Sequence, residues 1–70
     1  MVTELRIQRE RVGIRAWRLA NLCGISASLL SLYETGRKRV DAEMRHKIAA
    51  QLGKPVQEVF PEYEGKEVNQ

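Results

Sequence analysis

Seventy residues make one domain, close to the size at which a single core is only marginally stabilising. The one cysteine excludes an internal disulfide and any metal site of paired cysteines, and no apolar run approaches the roughly 18 residues of a membrane span. The net charge of +3 hides an asymmetry: through Phe60 eleven Lys and Arg face six acids, while beyond it Lys66 stands against Glu62, Glu64 and Glu67. A basic body with an acidic tail favours a polyanionic partner, with a merely soluble basic domain as the alternative that charge leaves open. The N-terminus lacks a signal-peptide core, so the expectation is a soluble, cytoplasmic chain with no membrane partner.

In chain order, Thr3 is a fair N-cap for a first helix, with Glu4 suited to its positive end, and Gly13 is placed to end it. The second helix is expected over about 15–23. At 100° per residue Ala16, Leu19, Ala20, Leu22 and Cys23 share one arc and leave Trp17, Arg18 and Asn21 outside it. Gly24 ends that helix. Ser26 caps a third, running to about Thr35 with Gly36 behind it, and Arg37, Lys38 and Arg39 form a basic loop. Asp41 caps a fourth, whose stripe is Met44, Ile48, Ala49 and Leu52. Gly53 ends it, Pro55 suits the start of a short fifth helix through Phe60, and Val56, Val59 and Phe60 are expected to close the core. The pattern predicts an all-α domain over 1–61 and a flexible charged tail over 62–70.

Residues 13–36 stand out: two short helices joined by a tight turn at Cys23-Gly24-Ile25-Ser26, the layout of a helix-turn-helix whose second helix lies in a DNA major groove. Around it stand Leu5-Arg6, Arg9, Gly13-Ile14, Leu19-Ala20, Gly24-Ile25-Ser26, Tyr33-Glu34-Thr35-Gly36-Arg37, Lys47-Ile48-Ala49, Leu52-Gly53 and Val59-Phe60-Pro61. In this order and spacing the chain resembles the Cro/CI-type (Xre) helix-turn-helix family of bacterial and phage regulators, over residues 3–61. The resemblance implies a compact five-helix, lambda-repressor-like domain that binds double-stranded DNA. It also implies that Arg9 and Glu34 form the family's internal ion pair, two unpaired surface charges being the other reading. An Arg fork on a carboxylate is physically suited to tying the first helix to the third.

The resemblance also implies phosphate contacts at the N-terminus of the second helix and in the loop after the third. The first place offers backbone N–H groups beside Arg15 and Ala16; Arg15 opposes the helix dipole there, a conflict that a phosphate would remove. The second offers Arg37, Lys38 and Arg39, for which a solvated basic loop is the alternative. With Leu30 and Tyr33 inward, the opposite arc of the third helix carries Ala27, Ser28, Ser31 and Leu32, with Leu29 on its border. Relatives often place Gln, Arg, Asn or Lys at several such positions, and many have Gln where Ala16 stands; this chain does not. Base reading would then rest on the two hydroxyls, on contacts of Ala27 and Leu32 with thymine methyls, and on DNA shape. Trp17, Leu29 and Leu32 support a second function class, a protein-interaction module on the same fold; partial burial of Trp17 against the first helix or Tyr63 is the plain alternative.

Nothing indicates an enzyme. His46, off the stripe of the fourth helix, has no ligand or acid partner in its spacing, Cys23 lies on the buried arc, and three serines with one distant histidine make no triad. No metal, cofactor or small-molecule ligand is expected. The expected protein is a transcriptional regulator of a bacterium, phage or mobile element, such as a repressor, with antitoxin and excision-control roles equally compatible. It would act as a homodimer at least on DNA, with the fifth helix and the tail, including Val59, Phe60 and Tyr63, as the interface.

Overall fold

The computed structural model describes residues 2–63. These form α1 (Glu4–Val12), α2 (Ala16–Cys23), α3 (Ala27–Glu34), α4 (Ala42–Leu52) and α5 (Val56–Val59), followed by a 3-10 turn, Pro61–Tyr63. The five expected helices are all present, and no strand occurs among the described residues. None of these helices is long and apolar enough to cross a membrane.

Side chains cap three of the helices, each accepting a backbone N–H that the first turn leaves without a partner. Thr3 Oγ1 accepts from Arg6 at 3.3 Å, Ser26 Oγ from Leu29 at 3.0 Å and Asp41 Oδ1 from Met44 at 2.8 Å. The bend between α2 and α3 turns on Gly24, whose φ of +74° is left-handed. A Cβ there would meet nothing within 4 Å, so the only penalty for a side chain is the backbone conformation itself. Gly24→Ala should therefore cost about 1 kcal/mol. A lowered urea midpoint with an unchanged m-value would show it.

α2 packs on α3 and α4, and α1 and α5 close the assembly. Leu19, Leu30, Ile48 and Val59 are wholly buried between them, with Leu5 and Phe60 beside them. The inward face of α2 is narrower than its apolar arc: Leu19, Ala20 and Cys23 are buried, whereas Leu22, expected on that arc, is 46% exposed. Leu22 lies at the arc's edge, just before the turn carries the chain away. Leu29, expected on the border of the outward face, is half-buried against the core.

The expected dimer surface is corrected at Val59 and Phe60. Both are interior side chains, filled around by α1 and α4, and are not available to a second chain. Tyr63 is half-buried, and its ring meets Phe60 edge-on at 5.8 Å and 80°. The boundary drawn after Pro61 falls inside the 3-10 turn, and the rest of the expected tail, 64–70, lies outside the described residues.

Candidate nucleic-acid interface

α3 has two chemically distinct sides. Leu30, Tyr33 and Glu34 are buried, while Ala27, Ser28, Ser31 and Leu32, the four expected base readers, are all exposed together on the other side. The turn that presents them is held by Ile25, which is half-buried against the core and donates its N–H to Ala20 O at 3.0 Å.

The far end of α3 is braced from behind. Arg9 donates from Nε to Glu34 Oε2 at 2.6 Å, from Nη2 to Glu34 Oε1 at 3.2 Å, and from Nη1 to the Ile14 carbonyl at 2.9 Å. The pair is mostly buried, with side-chain exposures of 12% and 7%. Thr3 Oγ1 adds a bond to the Glu34 carbonyl at 3.0 Å. One guanidinium thus joins α1, the segment entering α2 and the end of α3, so the mutual angle of the two helix-turn-helix elements is set by a polar network as well as by packing.

Exposed cations stand at the start of α2 and in the loop that follows α3. Arg15 is the N-cap residue of α2, is exposed, and makes no side-chain capping bond. Its carbonyl accepts from Arg18 and Leu19, which leaves the N–H groups of Ala16 and Trp17 at the positive end of the helix dipole. Ala16 follows, half-buried. Beyond α3, the N–H groups of Arg37 and Lys38 both reach the Leu32 carbonyl, at 2.9 and 3.3 Å, so the basic loop leaves the helix in a closed turn. Arg37 and Lys38 are exposed. Arg39 is exposed as well, but its guanidinium lies 5.0 Å from the centre of the Tyr63 ring.

Of the apolar trio, Trp17 is 59% exposed and Leu32 39%, while Leu29 turns inward. Burial of Trp17 under Tyr63 does not occur: that ring sits against Phe60 and Arg45. Val12, and Leu22 from the edge of the apolar arc of α2, are further exposed apolar residues. Cys23 is buried, and burial pushes its thiol up against the smaller opposing pull of Lys47, which makes it a poor nucleophile. His46 is exposed on α4.

Arg45 was not foreseen, and Tyr63, expected at a dimer interface or over Trp17, packs on Arg45 instead. Arg45 is 6% exposed although it is charged, and its guanidinium lies 4.3 Å from the Tyr63 ring centre. Nothing local marks such an arginine; the one available signal was a tyrosine close behind the last apolar cluster.

An exposed, braced second helix, a tight turn and cations at the start of α2 and after α3 define a DNA-binding helix-turn-helix domain. The chain belongs to the helix-turn-helix domain family, whose model matches residues 1–59, in keeping with its likeness to Cro/CI-type regulators. No curated protein and no solved structure matches it.

Proposed function

We propose that this chain is a small transcriptional regulator that lays α3 in the major groove of double-stranded DNA and holds phosphates at the N-terminus of α2 and in the basic loop. The observation that carries the reading is the division of α3: one side is locked by the core and by Arg9, the other is exposed, with exposed Arg15 starting α2 and exposed Arg37 and Lys38 following α3. Phosphate grips supply affinity and orientation, and base edges supply choice. Arg37 and Lys38 are the loop's phosphate ligands, with Arg39 drawn towards Tyr63. Ser28 and Ser31 offer hydroxyls to base edges, and Ala27 and Leu32 offer apolar contact to thymine methyls, so specificity is modest and leans on DNA shape.

One module of this size covers little DNA, so the regulator works as a homodimer on half-sites about one helical turn apart. Its place is the cytoplasm of a bacterium, or of a cell carrying a phage or mobile element, and it performs no catalysis. A specific observation favours a second reading on the same fold: Trp17 and Leu32 are large apolar groups in water, a feature of protein-binding surfaces.

Selection from a randomised duplex pool, followed by anisotropy across a salt series, tests both readings. A two-fold-symmetric motif bound about a thousandfold better than a scrambled duplex is the expected result. Arg37→Ala and Lys38→Ala should weaken binding to every duplex alike and lower the salt slope by about one each. Ser28→Ala and Leu32→Ala should instead change the ranking among duplexes. No enrichment, with equally weak binding to motif and scramble, moves the weight to the protein-binding reading.

A further inference from the structure

We propose that Tyr63 is a positioning residue for the phosphate-gripping loop, a strut that fixes the loop's exit; the inference rests on the DNA-binding reading. Val40, the first residue after the three cations, is held at every point. Its side chain is 2% exposed, its N–H donates to the Tyr63 hydroxyl at 2.8 Å, and its carbonyl accepts from Arg45 Nη1. Tyr63 and Arg45 also support one another, since the Arg45 guanidinium lies 4.3 Å from the centre of the Tyr63 ring and Phe60 meets that ring edge-on. The Arg39 guanidinium lies 5.0 Å from the same ring centre. A cation against an aromatic ring is attracted by the ring's quadrupole, and more strongly where water is excluded.

The loop's entry is fixed independently, by the Arg37 and Lys38 N–H groups on the Leu32 carbonyl. Between entry and exit lie only residues 37–39. Two cations on so short a span, closed at both ends, are ordered before DNA arrives, so binding loses less conformational freedom in ordering them. The strut is supplied from beyond α5, by the part of the chain that periodicity assigns no structural task. Its hydroxyl completes the backbone bonding of Val40, and its ring faces the Arg39 guanidinium. The phosphate grip therefore depends on a residue that need not touch DNA.

Tyr63→Phe removes the hydroxyl and keeps the ring, and Tyr63→Leu removes both. On a mixed-sequence duplex Tyr63→Leu should weaken binding about fivefold and Tyr63→Phe about twofold, with the ranking among duplexes unchanged. In an Arg37→Ala/Lys38→Ala background Tyr63→Leu should cost no further affinity, because the groups it positions are gone. In the free protein, exchange of the Val40 amide should quicken by about tenfold in Tyr63→Leu while the Leu30 amide keeps its protection. An equal loss of affinity in both backgrounds overturns the strut and makes Tyr63 a general stabiliser. Unchanged Val40 exchange overturns it as well, and either result leaves the DNA reading standing. A parent protein that binds no duplex overturns the DNA reading itself, and Val40 exchange then still shows whether Tyr63 orders the loop.

Discussion

Arg9→Ala is expected to cost about 3–5 kcal/mol, which is as much as a core of this size supplies altogether. The reason is what the substitution strands. Glu34 would keep its charge at 7% side-chain exposure with its guanidinium partner gone, and the Ile14 carbonyl would lose its donor. Urea denaturation should show the cooperative transition shifted close to zero denaturant. Two ion pairs within single helical turns give the contrast. Arg6–Glu10 and Lys54–Glu58 are neighbours one helical turn apart and open to water. Pairs of that kind contribute about 0.3–0.5 kcal/mol, so Glu10→Ala should scarcely move the midpoint.

A double variant, Arg9→Met with Glu34→Leu, should recover most of the loss, because it removes both charges together. If it did so while DNA binding stayed weak, the pair's task would be the angle between α2 and α3 rather than stability alone. A cost below about 1 kcal/mol for Arg9→Ala would mean that water reaches the pair as it reaches a surface one.

Phe60→Ala should be nearly as damaging, at about 3–5 kcal/mol from lost burial and the cavity left behind. The edge-on contact with Tyr63 adds about 0.5–1.5 kcal/mol. This substitution also discriminates between the two roles open to an apolar residue near the end of a short chain. As a core residue, at 2% exposure, Phe60 should destabilise the protein by the same amount at protein concentrations about tenfold apart. As an interface residue it would leave a folded monomer and weaken only association, visible by sedimentation. Its burial favours the first result, and the proposed dimer on DNA would then use another surface.

Much of this architecture could be read along the chain because its causes are short-ranged. Thr3, Ser26 and Asp41 each satisfy an N–H three residues ahead, and the glycine at the turn sits where a helix reverses. Such features lie within one helical turn, so spacing reveals them whatever the rest of the chain does. The Arg9–Glu34 pair is different: 25 residues separate the partners, and likeness to a family, not spacing, brought them together on paper.

Burial at the margins followed another logic. Leu22 and Leu29 both lie at the edges of apolar arcs, and one faces water while the other packs, because exposure there depends on which neighbouring helix arrives. Val59 and Phe60 carry the same apolar signal whether they meet their own core or a partner, and the docking of α5 against α1 and α4 makes them core. Arg45 shows the limit most plainly. A charged residue on a helix reads as solvated until a tyrosine 18 positions later and a backbone carbonyl supply the ring and the acceptor that make its burial affordable.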